Sequence, residues 1–207
     1  MGGRQNAGTA PALRKRSYHH GDLRAGLIEA ARQLVEEKGP DGFSMSDACR
    51  LAGVSTAAPY KHFKDKTELL VAVCLEGMTR LRDNMDMALE GLEPGDRRRV
   101  QRLGHEYVRF AMAEHGVFRL KFGGFTDHLD DPRLEESGQA CFGIVLREVA
   151  RCMGEAEVTE EVRRRGFMLW SMVHGLSFLM YDEKLAAMGG TPDLDGLLDE
   201  LGERVLG

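Results

Sequence analysis

Apolar residues recur at the spacing of an α-helix along most of this 207-residue chain, and this periodicity restricts the possible fold more than any other feature. The first such run follows Asp22, a suitable helix cap, and stops at Lys38-Gly39-Pro40. Its shared apolar face consists of Leu23, Leu27, Ala30, Ala31, Leu34 and Val35. Further helices are predicted over residues 96–113, 115–122, 133–153, 158–185 and 194–206. Because no segment alternates apolar and polar residues between hairpin signals, we predict an all-α fold.

A short helix with clear boundary signals is predicted from residue 44 onward. Ser44 can cap it, and Asp47 lies where a negative charge favours the first turn. Gly53 follows its end and suits the left-handed position there. Ala48 and Ala52 are small inward residues, so a second helix can approach closely.

A second short helix is predicted after the glycine, ending at His62 or Phe63. Either Ser55 or Thr56 can cap it. We favour Thr56 as the cap, or a distorted first turn. With Thr56 as the cap, Pro59 occupies the third helical position, where its missing N–H costs no hydrogen bond.

Short helix, glycine turn and short helix form a helix-turn-helix pattern. The second helix presents a small and polar face, which fits a DNA major groove about 12 Å wide; it consists of Thr56, Ala57, Tyr60 and Lys61. A further helix follows Asp65, with a buried side formed by Leu69, Leu70, Val73, Cys74 and Leu81. The pattern therefore predicts a DNA-binding module in the first third of the chain.

The distribution of charge is consistent with such a module, although the whole chain is acidic. Its formal net charge of −5 at first disfavours a nucleic-acid partner. Residues 1–66, however, hold 11 basic and 7 acidic residues, while residues 81–207 hold 16 basic and 24 acidic ones. The acidic surplus therefore lies downstream of the predicted module.

Residues 53–70, which read GVSTAAPYKHFKDKTELL, closely resemble the signature of TetR-family transcriptional regulators. Upstream, residues 18–24 (YHHGDLR) look like the lead-in of one subgroup of that family. Residues 170–176 (WSMVHGL) look like the same subgroup's C-terminal Trp…His-Gly motif. The resemblance spans residues 18–185 and is most specific over the first 65 of these.

This resemblance implies an all-helical homodimer that represses transcription from a palindromic operator until a small-molecule effector releases it. It implies three segments: a flexible basic arm at 1–17, a three-helix DNA-binding domain at 18–81, and a helical effector-binding and dimerisation domain at 82–207. The helix-turn-helix would occupy about residues 44–63, and the dimer interface would come from 133–153 and 158–185.

Carried over by position, the resemblance implies eight DNA-binding residues: Ser44, Ser55, Thr56, Ala57, Tyr60, Lys61, His62 and Lys66. Ser44 would touch a phosphate; Thr56, Ala57 and Lys61 would face bases or the nearby backbone; Tyr60, His62 and Lys66 would hold phosphates. His62 could instead pack against the core, and the lysines could be solvated. The cluster Arg14-Lys15-Arg16 could contact the minor groove or phosphates, or be solvated.

Aromatic residues of the second domain suggest where a largely apolar effector would bind. The predicted pocket residues are Phe110, Phe118, Phe122, Trp170 and His174. The same residues could simply be core, with His174 hydrogen-bonded internally. The segment Phe167–Tyr181 is apolar nearly all round, which predicts a buried helix.

Other classes of protein fit the sequence poorly. The longest apolar stretch has 15 residues, fewer than the about 20 that a membrane span needs, and the polar N-terminus shows no secretory signal. We therefore expect a cytoplasmic protein. None of the four cysteines forms a C-x-x-C pair, so we expect reduced thiols, no metal and no cofactor; a metal at the Asp127–Asp131 loop is disfavoured.

No catalytic signature is present, so we expect no enzyme activity. The alternative to a ligand-responsive repressor is a helical DNA-binding or interaction protein that a protein partner regulates. Release from DNA by small molecules would distinguish the two.

Overall fold

The structure is a computed structural model that describes residues 23–126, 129–181, 189–190 and 193–207. Eight α-helices build this part of the chain. They are α1 (Leu23–Lys38), α2 (Met45–Ala52), α3 (Lys66–Ala88), α4 (Arg97–Ala113), α5 (His115–Phe122), α6 (Pro132–Met153), α7 (Glu160–Tyr181) and α8 (Leu194–Leu206). These ranges contain no β-strand, so the all-α prediction is confirmed. Three predicted features lie outside the described residues: the arm at 1–17 with the lead-in as far as Asp22, the Asp127-His128 pair, and the long helix beyond residue 181.

Helices α1, α2 and α3 pack together through aliphatic and small side chains. Leu27, Ala48 and Leu69, one from each helix, are fully buried. Because Ala48 has only a methyl group, the short α2 can lie close against its neighbours, as the sequence predicts.

The 23-residue helix α3 continues from this three-helix unit into the rest of the protein. It packs against α1, α4, α5 and α6. Leu81 and Met85 are both buried in one apolar core that extends from Leu27 to Leu198. The predicted boundary at residue 81 thus falls inside a helix, and the division into 18–81 and 82–207 remains a proposal about function.

A buried ion cluster fixes the connection from α3 to α4. Glu148 of α6 is fully buried, and its carboxylate accepts hydrogen bonds from Arg99 (2.6 Å) and Arg147 (3.1 Å). Arg99 also donates to the carbonyl oxygens of Leu89 (2.8 Å) and Leu92 (2.6 Å) in the connecting loop. Burial alone would raise the pKa of Glu148, but the arginine hydrogen bonds lower it on balance.

Helix α7 departs from the sequence prediction. The apolar segment Phe167–Tyr181 is predicted to be buried, but within the single chain one face of the helix is exposed. That face exposes four large apolar side chains: Phe167 (57 %), Met168 (45 %), Met172 (41 %) and Leu179 (39 %). The segment has more apolar residues than its contacts with α4, α6 and α8 can cover.

None of the described helices is long and apolar enough to cross a membrane.

Candidate nucleic-acid interface and candidate effector pocket

The start of α2 is fixed by a reciprocal cap. The Ser44 hydroxyl accepts a hydrogen bond from the Asp47 N–H (3.2 Å), and the Asp47 carboxylate accepts from the Ser44 N–H (2.8 Å). The same hydroxyl donates to the Asp47 carboxylate (2.6 Å). These hydrogen bonds from Ser44 hold the pKa of Asp47 below its usual range. The sequence prediction that Ser44 caps this helix is therefore confirmed, and Ser44 remains exposed.

The turn after α2 has the predicted glycine geometry. Gly53 has a φ of 70° and its N–H donates to the carbonyl of Arg50 (3.2 Å). Val54 then donates to Cys49 (3.0 Å), which completes the helix end and redirects the chain. A side chain at Gly53 would be strained because L residues rarely adopt a positive φ.

The second short helix differs from the prediction. It is a single 3₁₀ turn, Pro59–Lys61, with Ala58 at its cap position, so the expected cap at Thr56 is wrong. Pro59 occupies the first helical position, where its missing N–H and fixed φ fit best. The preceding residues form a turn instead, closed by a 3.0 Å hydrogen bond from Ala58 N–H to the Ser55 carbonyl.

Seven of the eight predicted DNA-binding residues are exposed along this short stretch: Ser44, Ser55, Thr56, Ala57, Tyr60, Lys61 and His62. Tyr60 is 63 % exposed, although its apolar neighbours Pro59 and Phe63 are buried. The exposure of His62 contradicts the alternative in which it packs into the core. An aromatic hydroxyl flanked by exposed basic residues is suited to contact a phosphate backbone.

Lys66, the eighth residue, is partly buried at the start of α3. Its Nζ donates to the Phe43 carbonyl (2.5 Å) and lies 4.4 Å from the centre of the Phe43 ring. Asp65 caps α3 by accepting from the Glu68 N–H (2.9 Å). These contacts tie the beginning of α3 to the segment before α2, and an ammonium group with three donors retains capacity for a further acceptor.

A pocket of about 520 Å³ lies among α3, α4, α5, α6 and α7. Three of the five predicted pocket residues line it: Phe122, Trp170 and His174. The other two, Phe110 and Phe118, do not; both are buried, and the Phe118 ring lies 5.0 Å from that of Phe122. Phe118 thus supports the wall from behind, since its ring also lies 5.8 Å from those of Tyr107 and His174.

Several lining residues were missed by the sequence reasoning. They are Met78, Met85, Lys121, Thr126, Gln139, Cys141 and Phe142, among others. They lie on several different helices, and no local motif marks them. Cys141 is a buried lining residue, and burial raises the pKa of its thiol to about 11, so it remains protonated at neutral pH.

One wall of the pocket contains a series of hydrogen-bonded side chains that lies among aromatic rings. The hydroxyl oxygen of Tyr107 lies 2.7 Å from Nδ1 of His174 and 3.4 Å from Nε1 of Trp170. Burial raises the pKa of Tyr107 and lowers the pKa of His174. Both side chains are therefore neutral at pH 7, and His174 is both internally bonded and a lining residue.

Helix α5 connects this pocket with the three-helix unit. Glu36 at the end of α1 accepts hydrogen bonds from the N–H groups of Gly116 (2.7 Å) and Val117 (3.1 Å) at the start of α5. A Cβ on Gly116 would lie only 2.7 Å from the Val35 carbonyl oxygen, so a larger residue there would force the two helices apart. The other end of α5 supplies Phe122 to the pocket. Sequence reasoning missed this connection.

No group of three or more His, Cys, Asp or Glu side chains is placed to hold a metal ion within the described residues. The predicted site residues fall into two separate groups. The DNA-binding residues lie at the helix-turn-helix, and the pocket residues line a cavity or lie buried in the core.

Similarity to known proteins extends over both groups of site residues. A family model described as "Tetracyclin repressor-like, C-terminal domain" matches residues 100–205, and one described as "Bacterial regulatory proteins, tetR family" matches residues 27–73. The HTH-type transcriptional regulator BetI of Rhizobium meliloti (strain 1021) is 33% identical over 67 residues, 32% of this chain and 33% of BetI. The alignment therefore spans about a third of that relative.

Two solved structures extend the likeness to nearly the whole chain. A protein of unknown function from Rhodococcus sp. RHA1 has a TM-score of 0.77 at 30% identity, over 93% of this chain and 97% of that one. The transcriptional regulator FadR from Bacillus subtilis, solved in complex with stearoyl-CoA, has a TM-score of 0.66 at 16% identity, over 88% and 97%. At that identity the second likeness concerns the fold alone.

Proposed function

The chain belongs to the TetR family of transcriptional regulators, and we propose that it is a homodimeric repressor that a small-molecule effector releases from a palindromic operator. The observation that carries the DNA-binding part is the run of exposed polar and aromatic side chains at residues 44–62, held by the α2 cap and the glycine turn. We call residues 44–66 the DNA-facing segment.

The exposed positions of the DNA-facing segment suggest a division of roles. Thr56, Ala57 and Lys61 would face the bases or the nearby backbone. Ser44, Tyr60, His62 and Lys66 would hold phosphates, with Ser55 beside them in the turn. Ala57 and Pro59 lack side-chain hydrogen-bonding groups, so DNA shape and thymine methyl contacts would supply part of the specificity.

The exposed face of α7 supports the homodimer. Met168, Met172 and Leu179 recur at helical spacing on that face, and a contiguous apolar patch is typical of a surface that another chain covers. Gly175, at the middle of the face, is also exposed, and a Cβ there would meet no other atom. A twofold dimer through α6 and α7 would present two DNA-facing segments about 34–36 Å apart, one DNA turn.

The pocket supports release by a small, largely apolar effector. Its volume lies in the range of about 300–1,000 Å³ that is usual for ligand sites. An effector releases the protein only if it binds a conformer with a different separation of the DNA-facing segments, and DNA then weakens effector binding equally. The contacts of α5 with α1, together with the continuous helix α3, provide a physical connection for this coupling.

Selection of genomic fragments by the purified protein tests the proposal. We expect enrichment of a palindrome with half-sites one turn apart. Lys61→Ala should lose the enrichment, while Arg204→Ala, which removes an exposed charge on α8, should retain it. Absence of any enriched sequence would contradict sequence-specific DNA binding.

Screening compounds for release of the selected operator tests the effector. His174→Ala should weaken the effector that is found, because it removes a lining side chain and the partner of Tyr107. Unchanged effector affinity in a folded His174→Ala variant would remove His174 from the site. If no small molecule releases the protein, regulation by a protein partner becomes the better account.

A further inference from the structure

The described side chains that line the pocket include a positive charge but no negative charge. Lys121 supplies an ammonium group to the lining, and none of the described lining residues is an aspartate or glutamate. The other side chains are mainly aromatic, aliphatic or methionine, with neutral polar groups from Thr126 and Gln139. Such a pocket has a positive charge at one place and apolar surface elsewhere.

Lys121 is held in place at the last turn of α5. Its Nζ donates to the carbonyl oxygen of Leu134 in the first turn of α6 (2.6 Å). This bond uses one of the three ammonium donors, so two remain for a ligand. A cation fixed beside apolar walls interacts strongly with an anion, because the local dielectric is lower than in water.

His174 supplies a second donor. The Trp170 indole N–H can only donate, so the Tyr107 oxygen accepts from it. The Tyr107 hydroxyl proton then has His174 Nδ1 as its acceptor, at 2.7 Å. In a neutral imidazole this leaves the proton on Nε2. The lining therefore includes an ammonium group and a histidine whose unbonded N–H is at Nε2, with no carboxylate from the described residues.

We propose that the effector is an amphipathic organic anion, with a carboxylate paired to Lys121 and an apolar body among the Phe122, Phe142 and Trp170 rings. His174 Nε2–H is the second donor to its polar end. This inference rests on the proposed function in taking the pocket as the effector site, and it adds the charge class of the ligand. A cationic compound is disfavoured, because the lining offers no described counter-charge.

The experiment uses Trp170, the single tryptophan of the chain, as a built-in reporter, because it lines the pocket. Its fluorescence is titrated with two matched pairs of probes: octanoate against 1-octanol, and 4-phenylbutyrate against 4-phenyl-1-butanol. Each pair differs mainly in the charged head. We expect at least one acid to bind tenfold or more tightly than its alcohol.

Three variants identify the source of that preference. Lys121→Met should bring acid and alcohol within about twofold of each other, and Lys121→Arg should keep the preference for the acid. Arg119→Met removes an exposed charge from the same helix and should behave as wild type. Thermal melting of each variant shows whether loss of the Leu134 contact has unfolded the protein. If Lys121→Met is unfolded, the acid preference measured for Lys121→Arg decides the outcome.

Several results would overturn the inference. They are equal binding of acids and alcohols, persistence of the acid preference in folded Lys121→Met, or no acid binding at all. Operator binding is measured separately without any probe. Loss of operator binding alone contradicts the proposed function, whereas loss of acid preference alone contradicts only the charge class.

Discussion

The DNA-facing segment and the pocket are built in opposite ways. Seven of the eight predicted DNA-binding side chains in the DNA-facing segment are exposed, and the caps and the turn that place them are set mainly by hydrogen bonds between near neighbours in the sequence. The pocket is lined by five helices from residue 78 to residue 174, and its walls are continuous with the buried core. A change at an exposed position therefore alters binding with little effect on folding, whereas a change in the pocket wall alters both.

The largest expected effect is a core substitution behind the pocket. Phe118→Ala should lower the free energy of unfolding by about 3–5 kcal/mol, because a fully enclosed ring is replaced by a cavity. Thermal or denaturant unfolding measures this loss. Leu51→Ala, at a side chain that is 49 % exposed, is the control and should cost well under half as much. Similar losses of unfolding free energy in the two variants would contradict the contrast between the buried pocket wall and the exposed positions of the DNA-facing segment.

A fully buried carboxylate and a partly buried one test the same contrast through the pH dependence of stability. Hydrogen bonds lower the pKa of both Glu148 and Asp47 in the folded state. Each therefore stabilises the protein above the unfolded pKa, about 3.9–4.3, and this stabilisation is lost as pH falls through the folded pKa. Glu148→Gln should cost about 3 kcal/mol at pH 7, because Arg99 then lies buried without its counter-charge.

Asp47→Asn should cost less than Glu148→Gln, because Asp47 is only partly buried and its exposed partner Arg50 is screened by water. Melting temperatures at pH 7 and in steps down to pH 3 measure both effects. Stability of Glu148→Gln should fall less steeply with acid than that of wild type. An equal acid response would show that the buried ion cluster is not stabilising.

Tyr60→Ala tests the DNA-facing segment without disturbing the core. Operator affinity should fall by about 1–3 kcal/mol in free energy, while the melting temperature stays near that of wild type, because the ring is largely exposed. Tyr60→Phe separates the hydroxyl contact from the ring contact. A large loss of stability together with normal operator binding would show that Tyr60 supports the fold and does not contact DNA.

Ser44→Ala should have the smallest effect, because the hydroxyl is one of two reciprocal caps. Loss of the cap should cost about 1 kcal/mol of stability, and operator affinity should fall a few-fold. Ser44→Thr retains the hydroxyl and should recover most of both. Titration of labelled operator, together with thermal melting, measures the two quantities; a variant with unchanged cap stability would contradict the role given to Ser44.

The two regions also differ in how far the sequence predicts them. The cap at Ser44, the turn at Gly53 and a helix that begins after Asp65 are predicted from near neighbours in the sequence, and all three are confirmed. The cap at Thr56 is wrong because Pro59 starts its own 3₁₀ turn. The role of each residue toward DNA stays a prediction.

In the pocket, aromatic composition identifies Phe122, Trp170 and His174 as lining residues but does not separate them from Phe118 behind the wall. Lys121 has no sequence signal, because its partners lie on other helices. The exposed face of α7 was missed for the same reason: apolar composition does not show which residues a neighbouring helix covers.

Titration of a fluorescently labelled selected operator, with and without Lys61→Ala, tests the central claim most directly. The account predicts saturation at two protomers per operator and at least tenfold weaker binding by Lys61→Ala, with Trp170 fluorescence of the pocket unchanged. Saturation at one protomer, or equal binding by the variant, would contradict a homodimer that reads DNA through residues 44–66.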